Sequence, residues 1–354
     1  MRAIATEIMC LACVFKVSAI NSTAEELGRA LESIHLAKVR SAESSCYAIV
    51  AQHKSAGQTI NGILSLFAKS VSWKFFACDD NMNRYLYRHQ NRCCLDPSGH
   101  ETNQALPPPR IIVQGYSHTM EKFSFFKLDN CMWSTMFRNP MSRLISAKFY
   151  CTEQSNDALC GSRNSSFFHE SSNVEFAKYW GNFQFTNLLL HPRLAPFLSI
   201  GPSAKRIGKI HPAPKGMEMK GWQIFRQELD GGDNPRTQAG AQNLELVRYF
   251  LPLLFDEIGV LELYSQSWAL FDCGMPLGGT TWEKQASKNS VPHYQKNKAD
   301  ERLAIADALN TNDPLVRDEI SGDIRIYEDA VAIVKSRFQE LQLGSRACFR
   351  NGET

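Results

Sequence analysis

Residues 46 to 69 constrain the fold of this chain more than any other stretch. An apolar, partly β-branched run from Cys46 to Gln52 predicts a buried strand, and Ile60, Ile63, Leu64 and Phe67 share one face of a helix predicted over Thr59 to Lys69. Between them lies His53-Lys54-Ser55-Ala56-Gly57-Gln58-Thr59, a loop of small and polar residues. Strand, loop and helix make the first half of a βα unit, with main-chain N–H groups at the helix start that suit a phosphate. A second junction follows the same plan. A strand predicted over Cys131 to Phe137 meets Arg138, Pro140 takes the first-turn position where no N–H is needed, and a helix continues from Met141 to Tyr150. Arg138 and Ser146 flank that junction, where a guanidinium and a hydroxyl can hold another phosphate. Together the two junctions predict a doubly phosphorylated nucleotide as ligand.

The first loop is not a Walker loop. That motif ends in Gly-Lys-Ser/Thr, with the Lys on the terminal phosphates and the hydroxyl on magnesium. Here Lys54 precedes Gly57, and the closing hydroxyl, Thr59, follows Gln58. A phosphate-loop kinase or nucleotide hydrolase would need that ending and a magnesium carboxylate after a strand, so it stands as the alternative. The loop instead resembles the 5′-phosphosulfate loop of the Golgi carbohydrate sulfotransferases, the heparan sulfate and galactose enzymes among them, whose donor is 3′-phosphoadenosine 5′-phosphosulfate (PAPS). Arg138-Asn139-Pro140 with Ser142-Arg143 and Ser146 is similar to that family's 3′-phosphate signature. Gly181 to Leu189 resembles its Asn-x-Gln-Thr-Arg-Met-Leu segment, with Asn187 in place of the Arg. Ile258 to Glu262 with Ser267 to Phe271, and Asp323 to Ala330 with Phe338, resemble its late strand and its closing helices. The similarity runs from about residue 46 to 340, in the family's order.

The resemblance implies an α/β phosphate-loop sulfotransferase-like fold, its central and mainly parallel sheet flanked by helices. It implies that Lys54, Ser55, Ala56, Gly57, Gln58 and Thr59 hold the 5′ end of PAPS, that Arg138 and Ser146 hold its 3′-phosphate, and that no metal is required. The acceptor would be a carbohydrate or glycoconjugate hydroxyl. Such a hydroxyl needs a general base. The family often carries a His or Glu just past its second core strand, where Gln114-Gly115-Tyr116-Ser117-His118 stands here. His118 is the candidate and Glu121 the fallback, although the family's Gly-x-His spacing falls on Ser117. Lys284, Lys288 and His293 occupy the place of a late basic loop that closes over the nucleotide. A second basic cluster, Lys205, Arg206, Lys209, His211 and Lys215, reads as a solvated face.

Composition sets outer bounds. With 44% hydrophobic and 21% charged residues over 354 positions, the chain has the make-up of a globular protein with a full core. A net charge of +3 argues against a bulk nucleic-acid binder and permits a local basic groove. Eleven Cys suit an oxidising lumen, and the odd count leaves at least one thiol over if the others pair. Cys151 and Cys160 are spaced to close a short loop, while scattered free thiols are the other reading. No Cys pair has zinc-site spacing. The apolar stretch Ile8 to Phe15 after Arg2 has the length of a signal-peptide core but not of a membrane span, and reads as a weak signal or clipped anchor, or as an ordinary helix. Location in the Golgi lumen or secretory pathway, with membrane association through such an anchor, is what the family resemblance implies.

Residues 1–44 are expected to form a leader with a helix, 45–342 the catalytic domain and 343–354 a tail. Polar residues 78 to 109 and the Ser- and Asn-rich 155 to 172 are expected as surface excursions, and 274 to 297 as a loop. Strands are expected at 110–115 and 256–262, and helices at 173–190, 244–254, 265–273, 299–310 and 323–341. This alternation favours a mainly parallel sheet. A third reading, a non-catalytic descendant that binds a nucleotide or glycan, stays open because of Gln58, Asn187 and the register of His118.

Overall fold

The computed structural model describes residues 46–52, 54–78, 111–115, 117, 131–155, 160, 165–194, 232–288, 298–346 and 348. His53, His118, Glu121, His293, the leader and the basic cluster at 205–215 lie outside the described residues. The strands are β1 (Cys46–Val50), β2 (Lys74–Cys78), β3 (Ile111–Gly115), β4 (Met132–Phe137) and β5 (Glu257–Val260). They form a sheet in the order β2-β3-β1-β4-β5, and every pairing is parallel.

Strand β1 sits at the centre because both its faces are apolar. Cys46, Ala48 and Val50 enter one core, Tyr47 and Ile49 the other. The first core is closed by helices α5 (Phe183–Leu189), α6 (Gln238–Leu254) and α11 (Ser321–Gln342), through Leu188, Leu244, Val247, Ile326 and Val334. The second is closed by α1 (Gly57–Ser70), α7 (Tyr264–Gly274) and α8 (Trp282–Lys288), through Ile60, Leu64, Phe67, Trp268, Phe271 and Trp282. Each such side chain taken fully out of water contributes roughly 1.5–3 kcal/mol. A third cluster joins α2 (Pro140–Glu153), α3 (Ser165–Glu170), α4 (Asn173–Trp180), α9 (Lys298–Thr311) and α10 (Pro314–Glu319) around Leu144, Phe168, Phe176 and Trp180.

Three expectations need correction. Part of 274–297 is helix α8, because Trp282 and Ala286, one turn apart, bury against α1 and α7, with the Trp282 ring stacked 5.7 Å from that of Trp268. The 155–172 stretch contains α3, held by the buried Phe168 ring edge-on to Phe176 at 6.0 Å. The single helix expected over 173–190 breaks at Gly181-Asn182, where Asn182 turns left-handed with φ 56°. Strand β2 carried no expectation, its pattern being cut off by the polar stretch that follows. No helix among the described residues is long and apolar enough to cross a membrane.

Disulfides join Cys46 to Cys131, Cys151 to Cys160 and Cys273 to Cys348. The second closes the short loop that the spacing of those cysteines suggested.

Candidate functional site

In an open parallel sheet, ligands sit beyond the carboxyl ends of the strands where the strand order reverses. That point here is β1, with β3 on one side and β4 on the other. The loop after β1 and the junction after β4, the two segments singled out in the sequence, are therefore neighbours. Arg138 binds them together: its guanidinium donates to the Lys54 carbonyl at 3.0 Å.

The backbone of the loop alternates in hand. Lys54 (φ 61°) and Ala56 (φ 62°) are left-handed, while Ser55 between them and Gly57 after them are not. Such alternation turns successive N–H groups toward one concavity, a nest that favours anions. Left-handed backbone is uncommon for Lys or Ala, and residues held so cluster at ligand sites. Ala56 gives α1 no side-chain cap, as is also true of α5, α7 and α11, while α2, α4, α6 and α10 are capped by Asn139, Ser172, Thr237 and Asp313. The first-turn donors of α1, from Gly57, Gln58 and Thr59, thus remain for a ligand. A Cβ built on Gly57 meets nothing within 4 Å, so there is room above them.

Helix α2 lines the other wall. Asn139 caps it by accepting from Ser142 N–H at 3.1 Å, and Pro140 opens it. Ser142, Ser146 and Tyr150 recur every fourth residue and so share one side of the helix. The Lys54 ammonium lies 3.9 Å above the Tyr150 ring centroid, which brings the loop lysine to that side. Gln184 fixes Arg138 by accepting from its N–H at 3.1 Å and donating to its carbonyl at 3.2 Å. Glu262, beyond β5, accepts from Asn139 N–H at 2.9 Å and from the Tyr327 hydroxyl at 3.2 Å. Burial first, then Glu262, pushes the Tyr327 phenol above its usual range.

Arg143 is structural. Fully buried, it pairs with Asp323 at 3.1 Å and lies 5.4 Å from the Trp180 and Phe183 ring centroids. Burial raises the Asp323 carboxyl above its ordinary range, against the pull of Arg143. Asp323 also accepts from Phe185 N–H at 2.8 Å, locking α2, α5 and α11 together.

Lys54, Ser55, Ala56, Gly57, Gln58, Thr59, Arg138 and Ser146 are thus gathered at one end of the sheet. Lys288 is exposed in the last turn of α8, a helix packed on α1. Asn187, Ser117, Gln52, Gln114 and Tyr150 escaped the sequence reading as site residues. Asn187 is fully buried; its amide donates to Ala51 O and Gln52 Oε1, each at 3.0 Å, and its Oδ1 accepts from Ser117 N–H at 3.0 Å. Gln114 donates to Gly57 O at 3.0 Å. The signal for Asn187 was its replacement of an Arg within an otherwise matching segment.

No cluster of three His, Cys, Asp or Glu side chains suited to a metal occurs among the described residues. Comparison with protein-family models, with curated proteins and with solved structures finds no match.

Proposed function

We propose that the chain is a sulfotransferase that moves a sulfuryl group from PAPS to a hydroxyl of a carbohydrate or glycoconjugate. The observation that carries this reading is the left-handed backbone at Lys54 and Ala56 before an uncapped helix, bonded through Arg138 to the start of α2. A nest and a nearby arginine-and-serine wall suit a nucleotide with phosphate groups at both ends. The donor's 5′-phosphate would lie on the first-turn N–H groups of α1, and its 3′-phosphate between Arg138 and Ser146. The acceptor oxygen forms a bond to sulfur as the bond from sulfur to the bridging phosphate oxygen breaks. Lys54 and the nest neutralise the charge that develops on the leaving phosphate. The hydroxyl proton passes to His118, with Glu121 as the fallback base. Lys288 is assigned a closing contact with the nucleotide.

Three disulfides among the described residues favour folding in an oxidising compartment, in keeping with a Golgi or secretory location. A second reading, a nucleotide-binding protein without turnover, is favoured by one observation: Ser117, not a basic side chain, stands where the family spacing places its histidine.

Calorimetry with 3′-phosphoadenosine 5′-phosphate (PAP), against ATP plus magnesium, tests the reading. Tight binding that depends on the 3′-phosphate and needs no metal is expected. Preference for ATP with magnesium, or no binding of either, overturns it. PAP binding with no PAP released from PAPS in an acceptor screen selects the second reading.

A further inference from the structure

Behind the nest lies a corner of buried polar atoms that the donor and its two phosphates leave unused. Gln52 is 2% exposed and Ser117 fully buried, yet neither Gln52 Nε2 nor Ser117 Oγ has a hydrogen-bond partner among the described residues. A buried donor left so costs roughly 1–3 kcal/mol. Both residues belong to the site. Gln52 O accepts from Ser55 N–H at 3.1 Å, inside the phosphate loop, and Ser117 follows the carboxyl end of β3, beside β1.

Their polarity is fixed by a chain of bonds that starts at the backbone. Ser117 N–H can only donate, so the Asn187 atom facing it is the oxygen. The Asn187 nitrogen must then face Ala51 O and the Gln52 side chain, so Gln52 presents its oxygen to Asn187. The Gln52 atom that remains over is the NH2, a donor that cannot accept. A hydroxyl stands on the other side of Asn187. Ser55 Oγ, in the loop itself, is likewise without a partner among the described residues, and Gln114 Oε1 is the unpartnered acceptor beside them. One amide donor and two hydroxyls against one acceptor suit a ligand rich in acceptor oxygens.

Resting on the sulfotransferase reading, we infer that Gln52 Nε2 and Ser117 Oγ, set by Asn187, receive the non-bridging oxygens of the sulfuryl group itself. They are the part of the site that tells PAPS from PAP. The nest and Arg138 hold what the two nucleotides share; this corner holds what only the donor carries. It also gives Ser117 a role that requires no proton transfer.

The test compares the affinities of the full chain for PAPS and for PAP, the former read by displacement of PAP before turnover sets in. The wild type should prefer PAPS. Ser117→Ala keeps the N–H that Asn187 needs and removes only the hydroxyl. It should lower that preference by about ten- to a hundred-fold while PAP affinity stays within about two-fold, the loss of one hydrogen bond to a charged group. Gln52→Glu keeps the oxygen that faces Asn187 and turns the free donor into an acceptor, and should abolish the preference. Should Gln52→Glu fail to fold, Ser117→Ala decides alone. A wild type without preference, or a folded Ser117→Ala with the wild-type ratio, overturns the inference and leaves the two atoms to ordered water. A wild type that binds neither nucleotide removes the sulfotransferase reading first, and the inference with it.

Discussion

The two ends of the parallel sheet are built on opposite rules. The amino end is fastened by links between segments far apart in the chain. Cys46 and Cys131 bridge β1 to β4; Trp133 N–H donates to Asp256 Oδ2 at 2.8 Å and Asp256 N–H to Trp133 O at 2.7 Å. Arg337 donates to the carbonyls of Pro252, Asp256 and Phe255 at 2.9 to 3.2 Å, fastening α11 beneath β5. At the carboxyl end the backbone turns left-handed twice and a helix starts without a side-chain cap. One end is cross-linked between distant segments, and the other bends its backbone so that N–H groups face a common concavity. Substitutions at the two ends should therefore separate cleanly into effects on function and effects on folding.

The largest effect belongs to the carboxyl end. Lys54→Ala should cut PAP release from PAPS by at least about a hundred-fold, the scale of losing one charge-stabilising group, with a melting temperature close to wild type. If it melts far lower instead, the lysine is part of the scaffold and the contrast between the two ends fails. Arg337→Ala is the counterpart at the amino end. By leaving buried carbonyls unpaired it should cost about 2–4 kcal/mol in urea unfolding while PAP affinity stays within about two-fold. Ser146→Ala should weaken PAP binding by about ten- to a hundred-fold without a stability change beyond about 1 kcal/mol. Equal affinities for PAP and AMP in both proteins would remove Ser146 from the 3′-phosphate site.

The last effect is a dependence on pH. His191 is fully buried at the amino end, its ring 4.7 Å from that of Trp133, and burial, then Arg193, holds its pKa well below the usual 6.5. Between that depressed value and 6.5 the unfolded chain binds a proton that the folded chain refuses. The His191 contribution is thus complete above about pH 6.5 and is lost as pH falls below it, by up to about 1.4 kcal/mol per pH unit. His191→Gln should flatten the slope of stability between pH 6.5 and 5. An unchanged slope would assign the acid sensitivity elsewhere.

The sheet was legible from sequence where both faces of a strand are buried. The runs at β1, β3 and β4 are near-continuously apolar, and their ends match the structure within a residue or two. Strand β2 follows the exposed turn Val71-Ser72 and runs into a polar stretch, so no turn signal bounds it on the far side. Helix α8 was hidden because its two buried residues, Trp282 and Ala286, are too few to set a period. In the candidate site, residues acting through charge or special backbone, such as Lys54 and Arg138, stood out by type and spacing. Asn187, Gln52 and Ser117 did not, since their part depends on hydrogen bonds between segments far apart in the chain. Only folding brings those partners together.

The fastening at the C-terminus sets a practical limit on shortening this protein. Arg346 reaches back to Glu257 Oε1 at 2.6 Å, and Cys348 closes on Cys273. A truncation ending at Gln342, the last residue of α11, would leave Glu257 buried without its counter-ion and Cys273 as a lone thiol, able to cross-link one molecule to another. Recombinant fragments that stop there should yield more disulfide-linked aggregate on non-reducing gels than those that run past Cys348.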